Sequence, residues 1–160
     1  MASTPLEQLD EHGQSVWIDF LSRDFVEKGD LQGLVDQGVR GVTSNPTIFQ
    51  SAIADGDSYD EQLREILKDE TEPKEVFLQL ATRDIQGACD LLKQVHDDGD
   101  GKDGWVSLEV DPNLAHDTQG TIEEAKRLHE LVDRKNLLVK IPATKAGLPA
   151  IEESDRKSVV

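Results

Sequence analysis

Hydrophobic residues along the chain follow two patterns, and the first predicts β-strands. Short runs rich in Val, Ile, Leu and Trp, in places alternating with polar residues, are typical of strands. Four such runs occur, at residues 16–20, 41–44, 105–110 and 137–141. An Asn-Pro or Asp-Pro pair follows the second and third runs, and Pro142 follows the fourth, so the boundaries are well marked.

The second pattern is the 3.6-residue repeat of amphipathic helices. It predicts helices over residues 74–96 and 121–134 and a shorter helix at residues 59–67. Thr121 and Glu124 have the spacing of a capping box at the start of the second of these. The Asp- and Gly-rich residues 97–104 predict a turn before the third strand.

Strands that alternate with helical stretches indicate right-handed βαβ units and a parallel sheet, hence an α/β fold. At 160 residues the chain is long enough for one domain with a sizeable core.

Each predicted strand carries a polar group near its carboxyl end. Because side chains alternate across a strand, Thr43 and Asn45 share a face, as do Ser107 with Glu109 and Leu138 with Lys140. In the first strand, Trp17 and Asp19 oppose Val16, Ile18 and Phe20. In a barrel of alternating strands and helices, this end of each strand opens at the mouth where catalytic residues collect.

Lys140 suggests the chemistry. The run at 137–141 is typical of a fully buried strand, in which an ammonium is costly unless it is paired, near the strand mouth or neutral. Lysine in such a place is the usual amine nucleophile for Schiff-base reactions on carbonyl compounds. A strand-end lysine that extends to water is the alternative. In an aldol mechanism Lys140 would form the imine, Asp19 and Glu109 would transfer protons, and Asn45 would bind hydroxyl groups.

Charge and composition limit the kinds of molecule that the protein is expected to bind. The net charge of −16 disfavours binding to nucleic acid or to an anionic membrane, and no stretch is long and apolar enough to span a bilayer. The single cysteine, Cys89, allows no internal disulfide, so we expect a cytoplasmic protein with a buried structural thiol at this position.

Several motifs together resemble the transaldolase family. The sequence GVTSNPTIF at residues 41–49 resembles its first signature, and LLVKIPATKAGL at 137–148 resembles the second, which carries the Schiff-base lysine. SLEVDP at 107–112 is similar to the acidic motif of the third strand. Residues 17–23 are similar to the first strand of the longer bacterial members.

The resemblance implies a (β/α)8 TIM barrel, of which this chain covers roughly the first four βα units. It implies an enzyme of the pentose phosphate pathway that moves a dihydroxyacetone unit from sedoheptulose 7-phosphate to glyceraldehyde 3-phosphate, without cofactor or metal. Lys140 matches the imine lysine, Asp19 and Glu109 the acid–base carboxylates, and Asn45 with Thr43 the substrate-binding positions.

The resemblance assigns residues 1–153 to the N-terminal part of such a barrel, whereas residues 154–160 match nothing expected there and suggest a truncation. The phosphate-binding arginines of the family would then lie outside this chain. An open half barrel leaves strand edges unpaired, so we expect self-association through those edges.

Three alternatives stay open at this stage. The chain could be an inactive fragment of the enzyme, or part of a related Schiff-base sugar-phosphate aldolase. Asp98, Asp100 and Glu109 also have the spacing of three ligands of a calcium loop, although Lys102 and Asp103 do not fit that motif.

Overall fold

The computed structural model describes residues 4–54 and 56–156, in which helices alternate with four parallel strands. The strands are β1 (Val16–Ile18), β2 (Val39–Thr43), β3 (Trp105–Glu109) and β4 (Leu137–Lys140), hydrogen-bonded in that order. The helices are α1 (Pro5–Glu11), α2 (Arg23–Glu27), α3 (Asp30–Asp36), α4 (Pro46–Ala54), α5 (Asp60–Ile66), α6 (Pro73–Asp98), α7 (Thr118–Val132) and α8 (Gly147–Asp155), with a 3₁₀-helix at Pro112–Leu114. The predicted α/β class and parallel sheet are confirmed.

One face of the sheet forms the core against the helices. Val42 pairs with Val106, and Leu108 with Val139, and all four are nearly or fully buried. The helices contribute their predicted apolar faces to the same cluster, notably Ile85, Leu92 and Leu128. Burial of each large aliphatic side chain contributes about 1.5–3 kcal/mol, so this layer supplies most of the driving force for folding.

The opposite face is more open. Trp17, Thr43, Leu138 and Glu109 are only partly buried there, and Lys140 is exposed. The prediction that residues 137–141 form a fully buried strand is therefore wrong, because helices of the described chain cover only one side of β4. Gly41 is required on this face, since a Cβ would come within 2.3 Å of the Trp17 ring.

Two predicted boundaries also differ from the structure. Strand β1 ends at Ile18, so Phe20 is not a strand residue and is 46% exposed. Helix α7 begins at Thr118 with Asp117 as its cap, whose carboxylate accepts a hydrogen bond from the Gly120 amide at 3.0 Å. The predicted capping box at Thr121 is wrong, because Asp117 offers a side-chain cap one turn earlier.

The long connection between β2 and β3 holds three helices rather than two. Helix α6 continues to Asp98, so the predicted turn starts only at Gly99. Gly101 and Gly104 adopt positive φ there, at 75° and 81°, as a tight turn into β3 requires. Among the described residues, no helix has the length and apolar character needed to cross a bilayer.

Candidate active site

The site begins with an ion pair between neighbouring strands. Glu109 and Lys140 are the last residues of β3 and β4 and are direct partners in the parallel register. The Lys140 Nζ atom lies 3.1 Å from Glu109 Oε2, with the side chains 46% and 22% exposed. The prediction that Lys140 shares a face with Glu109 at the carboxyl end of the sheet is confirmed, and the pair can exchange a proton directly.

A second row of polar groups lies on the same face of the sheet, at the level of Ser107, two residues before Glu109 in β3. The Thr43 hydroxyl donates a short hydrogen bond to Asp19 Oδ1, which connects β2 to the residue after β1. Thr43 is paired across the ladder with Ser107 of β3. Ser107 Oγ is buried and has no hydrogen-bond partner among the described residues, so it is a free polar atom facing this row.

Asn45 connects the site to helix α4. Its Oδ1 accepts a hydrogen bond from the Ile48 amide at 3.0 Å, which caps the helix that begins at Pro46. The side-chain amide of Asn45 donates a hydrogen bond to no described residue. The sequence Asn-Pro therefore ends β2 and fixes an amide group at the mouth of the sheet.

An open groove of about 630 Å³ lies over these groups. Its lining includes three predicted site residues, Asn45, Glu109 and Lys140, and six that the sequence did not assign to the site, among them Phe20 and Ser51. The remaining lining residues are Pro46, Thr47, Ile48 and Pro112. The other two predicted site residues, Asp19 and Thr43, belong to the second row of polar groups and are not part of this lining.

Phe20 reaches the groove because β1 ends before it. Ser22 Oγ accepts a hydrogen bond from the Phe25 amide and starts helix α2, so residues 19–21 form a connection and not a strand. The Phe20 ring packs edge-to-face on Phe25, with centroids 5.1 Å apart. The Leu-Ser-Arg-Asp sequence at 21–24 carries this helix-start signal and could have corrected the prediction.

Ion pairs to Lys74 stabilise the loop that follows β3. Lys74 Nζ lies 3.1 Å from both Asp111 and Glu124, joining that loop to α6 and α7. The Asn113 backbone amide and, to a lesser extent, Lys74 lower the pKa of Asp111 below its usual value. Asp111 stays ionised at neutral pH and stabilises the loop that follows Glu109.

The calcium-loop alternative does not fit this geometry. Asp98 ends helix α6, whereas Glu109 lies at the far end of the five-residue strand β3, so the three acidic residues cannot surround one ion. Within the described residues, no group of three or more His, Cys, Asp or Glu side chains is arranged to hold a metal. Cys89 lies in the core as predicted, where burial raises the pKa of its thiol to about 12.

Comparisons with known proteins fit this arrangement. A family profile described as Transaldolase/Fructose-6-phosphate aldolase matches residues 16–159, which include all five predicted site residues. The chain belongs to the transaldolase/fructose-6-phosphate aldolase family. The chain is 50% identical over 149 residues to Transaldolase 2 of Streptomyces avermitilis and 44% identical over 154 residues to Transaldolase 2 of a Nostoc species. It is 50% identical over 147 residues to the transaldolase of Mycobacterium bovis.

The family membership also explains the fold. These alignments cover 92%, 96% and 91% of this chain but only 40%, 40% and 39% of the three relatives, so the chain spans about two fifths of their length. Transaldolases are TIM barrels, and four parallel strands with helices on one face match part of such a barrel. The open face of the sheet, which carries the Glu109–Lys140 pair, corresponds to the barrel interior.

Proposed function

We propose that this chain carries the Schiff-base half of a transaldolase. The donor is a ketose phosphate such as sedoheptulose 7-phosphate, the acceptor is glyceraldehyde 3-phosphate, and the transferred group is dihydroxyacetone. The observation that carries the proposal is the Lys140–Glu109 contact of 3.1 Å, which opens onto the groove. Such a reaction belongs to the pentose phosphate pathway and takes place in the cytoplasm.

Lys140 acts as the nucleophile. Its neutral amine adds to the ketose carbonyl, and loss of water gives an imine that can accept the electrons of the bond between its α- and β-carbons. Glu109 accepts a proton from the attacking nitrogen and returns it to the departing oxygen, either directly or through a water molecule. Because the strand register holds Glu109 opposite Lys140, the carboxylate is in place to accept the first of these protons directly from the nitrogen.

Asp19 acts in the bond-breaking step. It takes the proton from the hydroxyl group whose carbon becomes the aldehyde product, and the bonding electrons pass to the imine as an enamine. The enamine then attacks the acceptor aldehyde, Asp19 returns its proton, and hydrolysis of the new imine frees Lys140. Thr43 orients the Asp19 carboxylate through their hydrogen bond, and the Asn45 amide binds substrate hydroxyl groups.

Imine trapping tests the nucleophile. We expect borohydride to fix a ketose adduct on Lys140 when the complete gene product is incubated with fructose 6-phosphate, and peptide mass spectrometry locates it. Lys140→Arg keeps the positive charge and should abolish trapping, whereas Lys145→Arg, five residues along the same segment, should not. An adduct on Lys145 in the unaltered protein contradicts the assignment.

A transfer assay distinguishes the two activities named for the family. A transaldolase moves the three-carbon unit to an added aldehyde, whereas an aldolase releases free dihydroxyacetone. We propose transfer, because the compared relatives are named transaldolases. Release of dihydroxyacetone at the same rate with and without acceptor favours the aldolase instead.

A further inference from the structure

The connection that carries Asp19 has little support from the sheet. The ladder between β1 and β2 ends at the pair Ile18 and Val42, and β1 is an outer strand with only three residues. Asp19 and Phe20, which follow, are both exposed. Apart from the hydrogen bond from Thr43, the position of the Asp19 carboxylate therefore depends on how the chain is fixed at the start of α2.

A buried polar cluster provides that fixation. Arg23, Tyr59 and Asp84 are each only 2% exposed. Arg23 Nε donates to Asp84 Oδ1 at 2.8 Å, and the Tyr59 hydroxyl donates to Asp84 Oδ2 at 2.7 Å. The same Tyr59 oxygen accepts the Arg23 backbone amide at 2.9 Å, so one hydroxyl connects the first residue of α2 to a carboxylate of α6.

Further contacts fix Arg23 within this cluster. Its guanidinium donates to the Leu80 carbonyl at 3.2 Å and lies 4.6 Å from the centre of the Tyr59 ring. Leu21, two residues before Arg23, is fully buried in the main core. Residues 21 and 23 are thus both immobilised on the side of Asp19 that the sheet does not hold.

Stability alone is a weak reason for such a cluster. A buried ion pair loses its hydration, and apolar residues of similar volume often give equal or greater stability. Burial also raises the pKa of Asp84, which is only partly offset by the Tyr59 hydrogen bond and the Arg23 charge. What the cluster adds is directional bonding at a fixed point four residues from Asp19.

We propose that Arg23, Tyr59 and Asp84 are positioning residues that act on carbon–carbon bond cleavage through Asp19. This inference rests on the proposed function, because it assigns the cluster to the Asp19 step and not to the Lys140 step. Loss of the cluster lets the connection shift while β3 and β4, which carry Glu109 and Lys140, keep their own ladder. Imine formation and bond cleavage therefore respond differently.

Tyr59→Phe tests this with the smallest change, since it keeps the ring and removes the bridging hydroxyl. In the complete gene product we expect borohydride trapping on Lys140 to stay within about twofold of the unaltered rate. Cleavage, measured as release of the aldehyde product, should fall by about ten- to a hundredfold, the range that follows from a small misplacement of a catalytic group. Asp84→Asn should give the same pattern.

A control and a combined variant separate positioning from general destabilisation. Glu27→Gln breaks the exposed pair with Arg83, at 2.9 Å, which joins the same two helices, and it should change neither step. In the Asp19→Asn protein, addition of Tyr59→Phe should cause no further loss of cleavage, because the group through which it acts is already gone.

Four outcomes of these experiments would overturn the positioning role. Equal losses in trapping and cleavage, or independent effects of Tyr59→Phe and Asp19→Asn, overturn the positioning role. If Tyr59→Phe and Asp84→Asn both fail to fold by circular dichroism, the cluster serves folding and the inference is likewise overturned. If the unaltered protein traps no ketose, the proposed function itself fails, and the inference with it.

Discussion

At the scale of single residues, the two carboxylates of the site differ in what they contact. Glu109 faces the amine of Lys140, whereas Asp19 faces the hydroxyl of Thr43. Asp19 directly follows β1 and Lys140 ends β4, and these two outermost strands are three strand spacings of about 4.8 Å apart along the sheet. A substrate that reacts with both residues must lie on the open face between these strands, and the two proton-transfer roles concern different atoms of it.

Asp19→Asn tests this division. We expect the variant to form the Lys140 imine at close to the normal rate, because Glu109 is unaffected, but to cleave the carbon–carbon bond about 10²–10⁴-fold more slowly. Borohydride trapping should then yield mainly the adduct with the intact sugar and little of the three-carbon adduct. Asp36→Asn, an exposed substitution on α3, serves as the control. Normal cleavage combined with lost trapping would exchange the roles of the two carboxylates.

At the scale of elements, the connection from β4 to α8 is closely packed around Gly147. Gly147 opens α8, and a Cβ there would lie 1.9 Å from the Pro142 carbonyl oxygen. Its amide also donates to Thr144 Oγ1 at 2.9 Å. Since both contacts involve backbone or a short side chain, the crowding can be relieved only by moving the β4–α8 connection.

Gly147→Ala should therefore destabilise the fold by roughly 1–3 kcal/mol, the usual effect of overpacking. Thermal or urea unfolding followed by circular dichroism measures the change. Gly33→Ala is the matched control, because nothing lies within 4 Å of a Cβ at that helical position. Alanine in α3 should stabilise by up to about 1 kcal/mol. Equal stability of the two variants would remove the role given to the Gly147 contact.

Elements with a regular repeat were predictable from the sequence, and their junctions were not. The apolar runs and the α6 and α7 stripes depend on residues close in the chain, so all four strands and both helices were found. The end of β1 and the start of α7 depend on which nearby side chain caps a helix. Ser22 caps α2, and Asp117 caps α7. Helix α1 has the capping box, at Thr4 and Glu7, that was wrongly expected at Thr121.

The candidate site was likewise predictable from the sequence only in part. Alternation along strands was enough to bring Glu109 beside Lys140, because parallel register aligns strand ends. The Arg23–Asp84 pair joins residues 61 positions apart and gives no local signal, so the sequence alone did not reveal it. The burial of Lys140 was also misjudged, since an apolar run does not tell how many sides of a strand are covered.

At the scale of the whole molecule, one sheet face and two outer strands are the surfaces through which we expect copies of the chain to associate. In the described residues β1 and β4 each have a neighbour on one side only, and Trp17 and Leu138 are only partly buried on the open face. Burial of apolar area contributes about 25 cal/mol per Å², and unpaired strand edges favour pairing with another chain. The net charge of −16 on each chain opposes contact between copies.

A chain of these 160 residues should therefore self-associate, and more strongly as salt screens its charge. Size-exclusion chromatography with light scattering should give a mass above the 17.7 kDa of one chain, rising with ionic strength. Leu138→Glu places a charge on the open face and should weaken association, whereas Leu131→Glu, on the outer surface of α7, should not. A monomer at all salt concentrations contradicts this prediction. Equal effects of the two substitutions would show that the copies meet elsewhere than at the open face.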